Sequence, residues 1–177
     1  MSEKASNRKV GVVPREQMQE MSGLDFLRAI AAGELPAPPI GELFEFDLLE
    51  VEKGRVVFAG TPDRRFYNPI GSVHGGYAAT LLDSCMGCAV HSTLDPGIGY
   101  TTLEFKVQLV RPMSDQTGVV RAEGVVLHSG RRMATANGEL RDSEGRLLAH
   151  GSTTCIILTG STGSDEEPNK GVAAAKK

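Results

Sequence analysis

The chain has 177 residues, long enough to bury roughly 70% of its unfolded surface without a disulfide or metal staple. A net charge of −3 excludes a global basic face for nucleic acid, and 40% hydrophobic with 23% charged residues is ordinary for a soluble globular protein. With no Trp, six Phe and three Tyr, the core must rely on Val, Leu, Ile and Ala, while 21 Gly and nine Pro argue against a bundle of long helices.

Residues 1–20 are polar, mixed in charge and read as a flexible tail, with no apolar run that could serve as a signal peptide. Ser22 to Gly33 predicts a short helix, with Leu24, Phe26, Leu27 and Ile30 at helical spacing and Gly33 as its stop. Pro36, Pro38 and Pro39 predict extended chain. Leu43 to Val51 begins with alternation, Lys53-Gly54 turns, and Arg55 to Gly60 returns, which together predict a hairpin. A connection from Thr61 to Val73 follows.

Gly75 to Thr93 carries Tyr77, Ala78, Leu81, Leu82, Cys85, Met86, Ala89 and Val90 at helical spacing. It predicts a central, largely buried helix, ended by Pro96-Gly97. Four strands then follow, at Thr101–Arg111, Gly118–His128, Arg132–Arg141 and Leu147–Leu158. Turn signals about every 12 residues predict an antiparallel meander. From 161 to 177 the composition is that of a disordered tail. One domain at 21–160 results. Its expected class is α+β, a curved six-stranded antiparallel sheet wrapped around one long central helix.

Cys85 and Cys88 form a CxxC late in the helical pattern, and Cys155 is remote. No second CxxC or His pair completes a zinc site, and His74, His91, His128 and His150 are scattered, so no metal is expected. Small buried thiols in a reducing compartment are the simpler reading. No stretch approaches the ~20 apolar residues of a membrane span, which makes the cytoplasm the expected location.

The informative stretch runs from Arg65 through Asn68-Pro-Ile-Gly71-Ser-Val-His74-Gly75-Gly76 to Asp83. Two glycines where a loop becomes a buried helix leave the first backbone N–H groups uncovered. Such N–H groups favour a negative oxygen, so Gly75 is a candidate oxyanion hole for acyl transfer. Asp83 sits among apolar neighbours, where burial would raise its pKa and make it a better base. Asp83 lies eight residues after Gly75, about 12 Å along a helix. The two cannot flank one small atom by direct contact, so either a bound acyl group spans part of the gap or a second chain supplies one of them. A plain packing role for Gly75-Gly76, and a polar stripe for Asp83 with Thr80 and Ser84, stays open beside this. His74 reads more simply as a residue orienting the loop than as a base, and Asn68 as a turn residue or an amide that positions water or the thioester.

These residues, in this order, resemble the hotdog-fold thioesterases of the PaaI-like type. The segment Tyr100-Thr-Thr-Leu-Glu-Phe-Lys-Val-Gln-Leu-Val-Arg111-Pro112, the Gly130-Arg131-Arg132 turn and the Asp142-to-Ala149 turn are similar as well, so the likeness spans about Pro39 to Leu158. The resemblance implies hydrolysis of an acyl- or aryl-CoA thioester, with active sites between the protomers of a homodimer or homotetramer. It implies Asp83 as nucleophile or general base, the Gly75 N–H polarising the thioester carbonyl, His74 supporting the loop or the thioester side, and Asn68 near water or the leaving group. Thr102, with Thr101 as the neighbouring alternative, would orient water. No cofactor is required beyond the CoA of the substrate, and its phosphates call for cations. Arg131, Arg132 and Arg65 are the candidates, with Arg64 beside them. Two rivals remain: an acyl-CoA-binding protein of the same fold without turnover, and an enoyl-CoA hydratase or dehydratase, which Gly75-Gly76 and Asp83 fit less well. No membrane or nucleic-acid partner is expected.

Overall fold

A computed structural model describes residues 9–159 of the chain; the tails read at 1–8 and 161–177 lie outside the described residues. The remainder of the stretch read as an N-terminal tail carries a parallel bridge, Val10 beside Ala37, and helix α1 (Arg15–Gln19). The bridge is closed by Gly11 N–H to Ala37 O and Ala37 N–H to Lys9 O.

Helix α2 (Gly23–Ala32) forms where its caps place it. Ser22 Oγ accepts from the Asp25 N–H at 3.1 Å, and Gly33, at φ 79°, closes the last turn. Leu27 and Ile30 are buried against the sheet and the central helix. Pro36 and Pro38 lie in extended chain as expected, on either side of the bridged Ala37, but Pro39 departs from it. Pro38 caps helix α3 (Pro39–Phe44), and Pro39 occupies its first position, where a missing N–H costs nothing. Leu43 and Phe44, expected to open a strand, therefore end a helix. Glu45, at φ 53°, is left-handed and turns the chain into β1 (Phe46–Glu52). Glycine's absence there marks a strained reversal.

β1 and β2 (Arg55–Gly60) form the expected hairpin. A single 3₁₀ turn at Arg64–Phe66 precedes the central helix α4 (Gly75–His91). β3 (Ile98–Leu109), β4 (Val120–Ser129), β5 (Met133–Asp142) and β6 (Leu147–Thr159) complete one antiparallel sheet in the order β1-β2-β4-β5-β6-β3. The expected meander holds for β4, β5 and β6. β3 is the exception: it pairs with β6 at the far edge, not with β4. Its link to β4 is too long for a tight turn, and the link's Met113 O accepts from Val73 N–H, which ties it beneath the start of α4.

α4 lies across the concave face. Leu81, Leu82, Cys85, Met86, Ala89 and Val90 are fully buried there. Each buried Leu or Met contributes roughly 1.5–3 kcal/mol of transfer free energy. Close approach depends on Gly124 of β4, where a Cβ would sit 2.3 Å from Cys85 O. A stripe of α4 stays only half-buried: Gly76, Thr80, Asp83, Ser84 and Cys88. No helix among the described residues is long and apolar enough to cross a membrane.

β3 has one free edge and a bulge at Leu103, because Thr102 pairs with Cys155 while Glu104 pairs with Thr154. Tyr100 and Thr102 face α4 before the bulge, and Val107 and Leu109 face it after. Along this edge Leu103, Phe105, Leu109 and Val110 remain exposed.

Candidate active site

The loop before α4 is built by Asn68. Its Oδ1 accepts from the Ile70 and Ser72 N–H groups at 3.1 and 3.2 Å, and its Nδ2 donates to Ser72 Oγ at 3.0 Å. The His74 N–H then donates to Phe66 O, fixing where the helix begins. His74 is the N-cap, with φ −61° and ψ 137°, and its Nδ1 accepts from the Gly76 N–H at 2.9 Å. The imidazole thus bonds a backbone N–H, not a carbonyl. The Gly75 N–H has no acceptor among the described residues.

Packing accounts for both glycines. A Cβ at Gly75 would lie 2.6 Å from Leu109 Cδ1 on β3, and one at Gly76 would lie 2.9 Å from the capping His74 Nδ1. Any side chain at 76 would displace the cap. The pair therefore presents one uncovered N–H at the positive end of a 17-residue helix.

Asp83 lies two turns further along α4, half-buried and facing β3. Thr102 Oγ1 donates to its Oδ1 at 3.2 Å. Burial pushes the Asp83 carboxyl up, and the Thr102 bond partly opposes that rise. Thr101, one position away, points outward and is exposed, so the register falls on Thr102. Burial and then the nearby Asp83 push the Cys88 thiol up to about 12. Cys85 is also raised, chiefly by burial. Both remain protonated thiols at neutral pH and are poor nucleophiles. Among the described residues, no group of three or more His, Cys, Asp or Glu side chains lies together as a metal site would require.

Within one chain, Asn68, His74 and Gly75 meet at the helix start, while Asp83 and Thr102 meet about 12 Å away along the helix axis. The three arginines are dispersed. Arg65 is near the helix start, paired with Glu45 at 2.5 Å and Asp63 at 2.9 Å, with its guanidinium 5.6 Å from the Phe66 ring centre. Arg131 and Arg132 are exposed on the β4–β5 turn. That turn sits at the opposite end of α4, where Thr93 Oγ1 and Ser129 Oγ lie 3.0 Å apart. A cleft of about 400 Å³ opens beside the helix start, walled by Phe44, Phe66, Tyr67 and Tyr77 with Arg65 and His74.

A sheet curled around one central helix has counterparts in known proteins. The model of the thioesterase superfamily matches residues 70–149, from the turn before His74 to the start of β6. A Caenorhabditis elegans protein named "Putative esterase F42H10.6" is 31% identical over 120 residues, covering 67% of this chain and 70% of that protein. The chain belongs to the thioesterase superfamily. It is a thioester hydrolase by that membership. The 1,4-dihydroxy-2-naphthoyl-CoA hydrolase of Listeria monocytogenes is 22% identical over 116 residues, 66% of this chain and 93% of that protein. The PaaI protein of E. coli, from the phenylacetic acid degradation operon, shares the hotdog fold. It superposes with a TM-score of 0.67 at 20% identity, covering 80% of this chain and 98% of that one.

Tyr100 was not singled out in the sequence. Its signal is its place two residues before Thr102 in a strand, which puts both side chains on the face toward α4.

Proposed function

We propose that the protein hydrolyses acyl-CoA thioesters at sites shared between two copies of the chain. The observation that carries this reading is Asp83: a half-buried carboxylate, raised by burial and held by Thr102, beside a strand edge that a second copy can extend. The thioester carbonyl sits over the helix start, where the Gly75 N–H stabilises the oxyanion of the tetrahedral intermediate. Asp83 of the other copy either takes a proton from the attacking water or attacks the carbonyl itself, in which case water then cleaves the mixed anhydride to free the acid and restore the carboxylate. CoA leaves as thiolate, which needs little assistance because a thiol has a pKa near ~8.5.

His74 acts by capping the helix, and Asn68 by building the turn that aims Gly75. Thr102 orients Asp83 and the water. Arg131 and Arg132, exposed on the β4–β5 turn, carry no ion pair among the described residues, which leaves them available to the CoA phosphates. Arg65, already paired twice, contributes at the rim of the aromatic cleft. The CoA assignment is supported by the named activity of the Listeria relative. No further cofactor takes part. Exposed Leu103, Phe105, Leu109 and Val110 along β3 suit a dimer whose sheets join, and two dimers pair as a tetramer. Unbridged Cys85, Cys88 and Cys155 support a reducing compartment, the cytoplasm, as the location in this reading.

Release of free thiol from a panel of short, long, aromatic and hydroxylated acyl-CoAs tests the activity. The wild type should release thiol, and Asp83→Ala should not. A wild type that releases none refutes the proposal. An Asp83→Ala protein with the native rate removes Asp83 from the chemistry.

A further inference from the structure

The loop before α4 runs out along Tyr67 and back along Val73, which face each other in an antiparallel bridge. Its tip, from Asn68 to Ser72, is closed by its own hydrogen bonds and carries Ile70 out into solvent. The link between β3 and β4, residues 110–119, holds both arms of this loop. The Val73 arm is held by its N–H, which donates to Met113 O at 3.0 Å. The Tyr67 arm is held by its side chain. Tyr67 Oη donates to Asp115 Oδ1 at 2.8 Å and accepts from the Asp115 N–H at 3.0 Å. Asp115 Oδ2 also accepts from Arg64 Nε at 2.9 Å, but that side chain is 80% exposed and such a pair is weak in water.

The link is a firm base for these bonds. Met113 is buried, the Ser114 N–H donates to Thr117 Oγ1 at 2.8 Å, and the Thr117 N–H donates back to Ser114 O at 3.0 Å. The Tyr67 phenol, then the Arg64 guanidinium, hold the Asp115 carboxyl below the usual carboxylate range. A charged acceptor makes the stronger hydrogen bond.

The loop in turn sets the first turn of α4. Phe66 O, one residue before Tyr67, accepts from the His74 N–H at 2.7 Å, and Gly75 follows His74 directly. Phe66 also stacks on Tyr77, 4.9 Å between ring centres. That contact is with α4 itself and moves with it. The Asp115 bond ties the same segment to the sheet.

We infer that Asp115 is a positioning residue for the Gly75 N–H: by holding Tyr67 it fixes the first turn of α4 against the sheet and so aims the oxyanion donor. The inference rests on the thioesterase site proposed above. Asp115 touches no substrate. A donor serves only within hydrogen-bond reach of the developing charge, and a misplacement of about 1 Å can cost up to about 10²-fold in rate. The loss falls on kcat, because the transition state needs that bond more than the bound thioester does.

Three substitutions test this in the full-length chain. Tyr67→Phe removes the hydroxyl and keeps the ring that walls the cleft. Asp115→Ala removes the acceptor, and Asp115→Asn keeps an acceptor oxygen. Each is combined with Gly75, with Gly75→Ala and with Gly75→Pro, the last of which deletes the N–H. Values of kcat and KM are measured on an acyl-CoA that the wild type cleaves, with melting temperatures to confirm folding. Tyr67→Phe and Asp115→Ala should each lower kcat roughly three- to tenfold while KM stays within about twofold. Asp115→Asn should retain most of the wild-type kcat. The losses should persist beside Gly75→Ala and vanish beside Gly75→Pro, where the donor they aim is gone. A kcat unchanged by both Tyr67→Phe and Asp115→Ala overturns the inference. So does an equal loss beside Gly75→Pro, which would show that they act elsewhere. Either result leaves the Asp83 site standing. A wild type that releases no thiol, or a Gly75→Pro protein as active as Gly75→Ala, refutes the oxyanion reading and this inference with it.

Discussion

Thr102 Oγ1 donates to Asp83 Oδ1 at 3.2 Å, joining the edge strand of the sheet to the middle of the central helix. The bond favours the charged carboxylate, while burial favours the neutral acid. Removing the hydroxyl leaves burial unopposed. Thr102→Val should therefore move the acidic limb of the pH–rate profile to higher pH and lower kcat at neutral pH about tenfold. An acidic limb that stays in place would show that Thr102 does not tune Asp83.

Asp83 should also show its position in stability. Its folded pKa lies above its unfolded value, so the carboxyl favours folding while protonated and opposes folding once ionised. Asp83→Asn cannot ionise. The variant should melt above wild type at pH 7, with a gain that shrinks as pH falls through the folded pKa and vanishes below the unfolded one. Its thiol release should fall by about 10²- to 10⁴-fold. Thermal melts at several pH values check the first statement, and kinetics check the second.

The role of the Gly75 N–H is separable from its shape. His74, at φ −61° and ψ 137°, already has the conformation that precedes a proline, and proline is tolerated at a first helical position. Gly75→Pro deletes the N–H. Gly75→Ala retains it while making the same approach to the flexible end of Leu109. Proline should lower kcat by about 10²- to 10³-fold relative to alanine at matched stability. Equal rates would remove Gly75 from oxyanion binding.

Much of this fold is legible in the residues, for local reasons. Ser22 and Gly33 bracket α2, apolar spacing marks α4, and Gly-containing turns separate β1 from β2 and β5 from β6. The misreadings have tertiary causes. Leu43 and Phe44 alternate like a strand, yet Pro38 and Pro39 start a helix that carries them. β3 follows α4 and precedes β4, but nothing local states that it pairs with β6. The site divides similarly. His74-Gly75-Gly76 and Asp83 stand out in sequence, but the reason for each glycine is a contact with Leu109 or with the His74 ring. The choice of Thr102 over Thr101 and the position of Tyr100 depend on strand register, and a bulge at Leu103 breaks the alternation that would carry that register back from Glu104 and the residues after it.

The free edge of β3 carries the proposed contact between copies. Phe105, 42% exposed on that strand, should be covered in a dimer. Phe105→Asp should lower the mass seen by light scattering and lower thiol release in parallel, because each half-site then stands alone. A monomer that keeps full activity would place the whole site within one chain.

Complementation between inactive variants reads the shared site most directly. Gly75→Pro and Asp83→Asn proteins, each inactive alone, are co-expressed at equal levels so that mixed dimers form. In a mixed dimer one site joins the intact Gly75 of one copy to the intact Asp83 of the other. Thiol release should recover to roughly a quarter of the wild-type rate, since half the dimers are mixed and each holds one intact site of two. Mixed dimers isolated by two affinity tags that remain as inactive as their parents would contradict a site shared between protomers.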